Sequence, residues 1–212
     1  MSETLVERKP RPRNRVFLKL SGGRFFTIPE SAAPPYESGE VLSDEDIERL
    51  SRIDQYHRGR AKAIHLLGIR ARSCYEVKQA LERLELLPAI RNGIVKELVE
   101  EGFLDDSRFC TEFVRGRIET KGFGPHRLRV ELKKRGIGAA IIDTVFEAQL
   151  QGESQDDIAW REVRKKLGSR KADEGDIRRL SGLLRRKGLD YDVINRVMYR
   201  LLQESGVEAE LD

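Results

Sequence analysis

The sequence contains an internal repeat, and this repeat constrains the fold more than any other feature. The segments GPHRLRVELKKRGI (124–137) and GDIRRLSGLLRRKGL (175–189) correspond to each other at a shift of 52 residues. In both, two leucines are spaced four residues apart, three basic residues follow, and a glycine comes next. Self-similarity over a period of this length is typical of arrays of small helical units.

Each repeat is predicted to contain three short helices. Ser73 has Glu76 three residues later, which is a capping box, and Pro125 lies where a first helical turn tolerates proline. Gly136 and Gly188 supply the left-handed residues that end the middle helices. The sequence therefore predicts an all-α fold of tandem three-helix repeats, which form an elongated curved array.

A third copy of the repeat lies earlier in the chain and is four residues longer. Val77 and Leu81 take the first apolar positions of its middle helix. Glu85 stands where the other two copies have glycine. Because a side chain disfavours the left-handed conformation, we expect this helix to end differently.

The N-terminal region does not follow the repeat. Residues 1–15 are rich in Pro and Arg, which predicts disorder. The segment VFLKLSGGRFFTI (16–28) has two short apolar runs around Gly22-Gly23, which predicts a small N-terminal β-hairpin. The predicted divisions are 1–15 (disordered), 16–42 (hairpin and Pro-rich linker), 43–106 (leading helix and first three-helix unit), 107–152 (second unit), 153–204 (third unit) and 205–212 (acidic tail).

Charge is distributed unevenly along the chain. The formal net charge is only +4, but residues 108–135 carry nine Lys and Arg against three Asp and Glu. Residues 160–200 carry thirteen bases against six acids, whereas residues 30–57 carry eight acids against two bases. A basic second half suits an anionic partner such as nucleic acid or a nucleoprotein.

The middle helices of the second and third units carry basic residues at equivalent positions. Arg129 and Lys133 are four residues apart and Arg178 and Arg185 are seven apart, so each pair shares a helix face. Such residues also have a structural explanation, because cations near a helix C-terminus favour the helix dipole. The repetition on two equivalent helices nevertheless predicts a phosphate-binding track. The candidate binding residues are Arg127, Arg129, Lys133, Lys134, Arg135, Arg178, Arg179, Arg185, Arg186 and Lys187.

The sequence predicts a protein that is not an enzyme and has no cofactor. No Ser–His–Asp or Cys–His arrangement can be proposed from spacing, and Asp105 is expected to cap the helix that follows it. Cys74 and Cys110 form no C-x-x-C pattern and the histidines are scattered, so we expect no metal site. No apolar run has the length of a membrane span, and the N-terminus has no signal-peptide pattern, so we expect a cytoplasmic protein.

One part of the chain has a recognisable signature. The segment GFLDDSRFCTEFV (102–114) is followed at short range by GFGPHRLRVELKKRGI (122–137). The turn, the helix, the Gly-Pro pair and the basic helix end resemble the RecX family, whose members are bacterial regulators of the recombinase RecA. The segment RARSCYEVKQALERL (70–84) is similar to the first unit of that family. The resemblance covers residues 61–202.

The resemblance implies a regulator, usually an inhibitor, of the RecA recombinase. It implies three-helix units that lie in the groove of the filament of RecA and single-stranded DNA and modulate its ATPase and strand exchange. It places the protein in DNA recombination, DNA repair and the SOS response, and any ATP chemistry belongs to the recombinase. We expect a monomer whose partners are the RecA filament, the single-stranded DNA within it and, more weakly, free DNA.

Two other functions are compatible with the residues alone. One is a general nucleic-acid-binding helical repeat protein without a dedicated protein partner, whose affinity falls steeply with salt. The other is a helical adaptor for an unrelated acidic protein, whose binding does not depend on DNA. Preference for the filament over bare DNA separates the regulator from both.

Overall fold

The computed structural model describes residues 2–149 and 154–205. Within them the chain forms nine α-helices and a small N-terminal antiparallel sheet, so the predicted helical fold with N-terminal strands is confirmed. The chain divides into two compact units: the first unit is Met1–Leu104, and the second unit is Asp105–Asp212, which spans the second and third three-helix repeats. Except for Ser205, the predicted acidic tail (205–212) lies outside the described residues.

Four strands form the sheet in the first unit. They are β1 (Glu3–Arg11), β2 (Arg15–Leu20), β3 (Phe25–Pro29) and β4 (Val41–Leu42). Their order is β3-β2-β1-β4, and each neighbouring pair is antiparallel. Strands β2 and β3 are the hairpin predicted for residues 16–28, and it is one half of a larger sheet.

The prediction that residues 1–15 are disordered is wrong, because residues 3–11 form β1 and pair with β2. Leu5 is fully buried in the core under the sheet. The Arg8 guanidinium donates to the carbonyl oxygens of Pro34 (3.0 Å) and Tyr36 (3.2 Å) and to the Glu30 carboxylate (2.7 Å). These partners lie far along the chain, so the local Pro and Arg content could not reveal them.

The inner face of the sheet packs on the long helix α1 (Asp44–Ile69). Ser43 caps the N-terminus of α1: its side chain accepts from the Asp46 amide, and the Asp46 carboxylate accepts from the Ser43 amide, which makes a capping box. Alternate strand residues and the first turns of α1 make one apolar core. Its fully or nearly fully buried members are Leu5, Val16, Leu18, Leu20, Phe26, Ile28, Leu42, Ile47 and Leu50.

Two further helices complete the first unit, α2 (Cys74–Glu82) and α3 (Pro88–Glu100). They pack with the second half of α1 around Ala63, Val77 and Leu81. Ser73 forms the predicted capping box with Glu76, so the predicted N-terminus of α2 is confirmed.

The C-terminal end of α2 contradicts the sequence prediction. Glu85 has a φ of 54°, and Gly136 and Gly188 at the equivalent positions have φ values of 74° and 79°. The amide of Glu85 donates to the carbonyl of Glu82 (3.1 Å), as the amide of Gly136 does to that of Lys133 (3.0 Å). Helix α2 therefore ends with the same turn as the middle helices of the other two repeats, although a side chain occupies the left-handed position.

This strained position gives a stability prediction. Replacement of the exposed Glu85 by glycine (Glu85→Gly) should raise the free energy of unfolding by about 0.5–1 kcal/mol, because the left-handed penalty exceeds the entropic cost of glycine. Urea denaturation of both proteins measures the difference. Replacement of the exposed Glu82, which is helical, by glycine is the control and should lower stability. A loss of stability in Glu85→Gly would contradict the assigned backbone conformation.

The second unit contains six helices in two groups of three. They are α4 (Asp106–Lys121), α5 (Pro125–Lys133), α6 (Ala139–Gln149), α7 (Gln155–Leu167), α8 (Glu174–Lys187) and α9 (Tyr191–Ser205). Asp105 caps α4 and Pro125 lies in the first turn of α5, as the sequence predicts. One continuous apolar core, which includes Phe123, runs through both groups. No helix in the described part of the chain is long and apolar enough to cross a membrane.

Candidate nucleic-acid interface

All ten predicted binding residues lie on two equivalent helices of the second unit or just past their ends. Leu128 and Leu132 fix α5 in the core, and Leu180 and Leu184 fix α8 in the same way. Because buried leucines four residues apart define the inner face of a helix, the basic residues between them are turned toward solvent or toward neighbouring helices.

The C-terminus of α8 meets the N-terminus of α5 end to end. The amide of Gly124 donates to the carbonyl of Lys187 (2.8 Å), and the amide of His126 donates to that of Gly188 (3.2 Å). The Arg127 guanidinium adds a bond to the carbonyl of Arg186 (3.0 Å). Free carbonyls at one helix end and free amides at another thus satisfy each other, and their dipoles are complementary.

Three of the five candidates on or beside α5 are engaged within the protein. Arg127 lies 4.0 Å from the centre of the Phe123 ring, in addition to its bond to the Arg186 carbonyl. Arg129 pairs with Asp143. The side chain of Arg135 donates to the carbonyl of Glu131 (2.7 Å) and lies over the Phe113 ring. These guanidiniums must give up or share an internal partner before they can bind phosphate.

On α8, Arg179 belongs to a buried carboxylate cluster. Asp176 is buried, accepts from Arg170 and Arg179 (2.6 Å for the Arg179 pair), and completes a capping box with Asp173. The hydrogen bonds from Arg170 hold the pKa of Asp176 well below its usual range, and the Asp173 amide and the Arg179 charge act in the same direction. Arg179 therefore has a structural partner at the start of the helix.

Lys187 is also engaged within the protein. Its ammonium lies 2.8 Å from the Glu162 carboxylate, and the two side chains are only 14% and 5% exposed. It also donates to the carbonyl of Lys121. Sequence reasoning missed Glu162, although a signal was present, because this acid continues the apolar stripe of Ile158, Ala159 and Val163 on the inner face of α7.

The other five candidates are exposed, and no carboxylate or carbonyl within residues 2–149 and 154–205 accepts from their side chains. They lie in the last turn of α5 or just past it, in the last turn of α8, and in the second turn of α8. We call them the free cations: Lys133, Lys134, Arg178, Arg185 and Arg186. Arg178 and Arg185 are two turns apart on α8, and the nine residues of α5 span about 13 Å from the junction to Lys133. Uncompensated charge at helix ends is available to an anionic partner.

The cysteines have no arrangement suited to chemistry. Cys110 is buried in the second unit, where desolvation raises the pKa of its thiol to about 11. A thiol with so high a pKa is a poor nucleophile at neutral pH. Cys74 is half-buried at the start of α2 in the first unit. Among the described side chains, no group of three or more His, Cys, Asp or Glu could hold a metal ion.

Comparison with known proteins identifies similar chains. Residues 105–145 match the family model described as "RecX, second three-helix domain". The chain is 30% identical over 203 residues to "Regulatory protein RecX" of Oceanobacillus iheyensis, which covers 92% of this chain and 74% of that relative. It is 28% identical to the protein of the same name from Listeria monocytogenes, which covers 76% of this chain and 59% of that relative.

A solved structure has a similar fold. It is a crystal structure of "regulatory protein RecX", with a TM-score of 0.66 and 20% sequence identity. The alignment covers 92% of this chain and 98% of that one. This likeness concerns the fold, and the relationship in sequence comes from the chains named above.

Proposed function

The chain belongs to the RecX family of regulatory proteins, and from this membership we propose that it regulates a RecA recombinase by binding the filament of RecA and single-stranded DNA. Binding restrains the ATPase activity and strand exchange of the filament. The protein acts as a monomer in the cytoplasm, in DNA recombination, DNA repair and the SOS response. It performs no catalysis, and ATP turnover remains with the recombinase.

The free cations are the observation that carries this proposal. A filament of protein and DNA offers phosphates and acidic side chains, and exposed Lys and Arg without internal partners bind both. Lys133 and Lys134 correspond in the repeat to Arg185 and Arg186, so the two groups offer similar charges to a partner that is itself repetitive. The other five candidates instead hold α5 and α8 in place. They are Arg127, Arg129, Arg135, Arg179 and Lys187.

A binding titration tests the proposed partner. Labelled protein is titrated with bare single-stranded DNA and with the RecA–DNA filament held by a non-hydrolysable ATP analogue, both at about 150 mM salt, where exposed charges are well screened. We expect a clear preference for the filament. Equal affinity for bare DNA would favour a general nucleic-acid-binding protein, and binding to neither would favour an adaptor for an unrelated acidic protein.

A charge-reversal variant tests the proposed surface. Lys133→Glu combined with Lys134→Glu should weaken filament binding on the order of tenfold, because two phosphate or carboxylate contacts become repulsive. The helical circular dichroism signal should be unchanged, since both side chains are exposed.

The matched control reverses two exposed lysines of the first unit, Lys62→Glu with Lys96→Glu, and makes the same change in net charge. It should bind within about twofold of the wild type if long-range charge is screened. An equal loss in both double variants would show that net charge, and not this surface, determines affinity.

A further inference from the structure

The outer face of the N-terminal sheet presents a chemically distinct surface. Side chains alternate between the two faces of a strand, and Val16, Leu18 and Leu20 of β2 point into the core. Their neighbours therefore point outward, and the strand pairing places residues of β1 and β3 beside them. We call this surface the outer sheet face: Glu7, Lys9, Arg11, Phe17, Lys19, Phe25 and Thr27.

Two aromatic rings lie side by side on the outer sheet face. Phe17 and Phe25 are diagonal neighbours, with ring centres 5.8 Å apart and an angle of 31° between the ring planes. Phe25 is the first residue of β3, and its side chain is 65% exposed. Exposure of one large apolar side chain is ordinary, but two adjacent rings together offer a larger apolar surface.

Positive charge surrounds these rings. The Arg11 guanidinium lies 4.9 Å from the centre of the Phe17 ring. Lys9 is paired with Phe17 across the strands, and Lys19 is paired with Phe25. Glu7 is the acid on this face and it pairs with Lys9, so the surface keeps a net positive charge.

We propose that the outer sheet face binds single-stranded nucleic acid. Bases stack on Phe25, beside Phe17 and the Arg11 plane, and the phosphates between them contact Lys9, Lys19 and Arg11. An exposed ring beside a half-buried one, on a sheet among basic residues, combines the two elements of such recognition, since every base has a π-face and every linkage carries a charge. A duplex cannot use the rings, because its bases are already stacked.

This inference goes beyond the filament role, because it concerns free single strands and the first unit. It does not depend on the free cations of α5 and α8. A protein that does not bind the filament could still bind a single strand through this face. Either proposal can therefore be wrong while the other is right.

The test is fluorescence anisotropy of the full chain with a labelled oligothymidine strand and with a duplex of equal length. Phe25→Ala should weaken binding to the single strand at least fivefold, which is the lower end of the effect of losing one base stack. Phe25→Tyr should restore most of the affinity, since it keeps the ring. The control is Ile69→Ala, which removes an equally exposed apolar side chain (65%) at the end of α1 and should leave affinity unchanged.

Salt dependence separates stacking from charge. Phe25→Ala should leave the slope of log affinity against log salt unchanged, whereas Lys19→Ala should reduce it by about 0.7, the value of one lost contact to a single-stranded phosphate. Both variants are to be repeated in the Lys133→Glu, Lys134→Glu background, where the effects should be of the same size. Wild-type affinity in Phe25→Ala, or an equal loss with the duplex, would overturn the proposal.

Discussion

Gly188→Ala lowers the free energy of unfolding of the second unit by about 3 kcal/mol, the sum of a left-handed penalty and an overpacking penalty. Gly188 has a φ of 79°, which an L side chain rarely adopts. A Cβ at this position would lie 2.4 Å from the backbone nitrogen of Arg127 and 2.6 Å from its Cβ. Backbone atoms cannot rotate away, so the junction between α8 and α5 must open.

Urea denaturation followed by tryptophan fluorescence measures this change. Trp160, the one tryptophan in the sequence, lies on α7 in the second unit and therefore reports on it. Gly124→Ala isolates the overpacking penalty. Gly124 does not have a positive φ, but its Cβ would lie 2.3 Å from the carbonyl oxygen of Gly188. It too should be strongly destabilised, by about 1–3 kcal/mol.

The control for both variants is Gly116→Ala. Gly116 lies inside α4, and beyond the adjacent residues and the backbone of its own helix no atom lies within 4 Å of where a Cβ would be. Alanine is the better helix former, so this variant should gain up to about 1 kcal/mol. If Gly188→Ala were as stable as the wild type, the end-to-end junction would not exist in solution.

Lys187→Met should cost about 3–5 kcal/mol of stability, the usual effect of leaving one member of a buried ion pair alone. Lys187 is only 14% exposed, and its removal leaves the Glu162 carboxylate buried without its cation. The carbonyl of Lys121 loses a donor in the same step. The measurement is again the urea midpoint, with Arg186→Met, an exposed neighbour, as the control within about 0.5 kcal/mol of the wild type.

A double variant distinguishes the pair from the loss of a long side chain. Replacing both members, Lys187→Met with Glu162→Met, removes the stranded charge and should recover a large part of the loss. Equal destabilisation in the single and double variants would mean that packing, not charge, holds the two helices together. Lys187→Met should also weaken filament binding only as far as it unfolds the second unit.

The features that sequence predicts well are the ones set by near neighbours. The leucine spacing of 128 and 132, the capping box at Ser73 and the left-handed Gly188 each depend on a few adjacent residues, and the structure has all three. Strand β1 depends instead on residues 30–36 and on the sheet core. Glu85 keeps its turn because the fold of the first unit outweighs a local penalty.

The same distinction applies to the candidate site. Repetition identified α5 and α8 as basic helices, but it could not separate the free cations from the engaged ones. Lys133 and Lys187 both lie in a basic triplet before a glycine, and only the second is covered by another helix and paired with Glu162. That difference arises from α7 of the same repeat, which supplies Glu162, and from the Lys121 carbonyl of the neighbouring repeat. Composition also concealed the outer sheet face, because residues 3–11 have few of the apolar residues that mark a strand.

The end-to-end junction also has a consequence for the timing of synthesis. The amides of Gly124 and His126 leave the ribosome well before Lys187 and Gly188, whose carbonyls they bind. Synthesis proceeds at about 5–20 residues per second. For several seconds, therefore, the first amides of α5 have no partner but water. The repeats therefore cannot mature one after another as they emerge. A chaperone or protease would meet the second unit as an incomplete, basic and partly apolar chain until its last helices had been made.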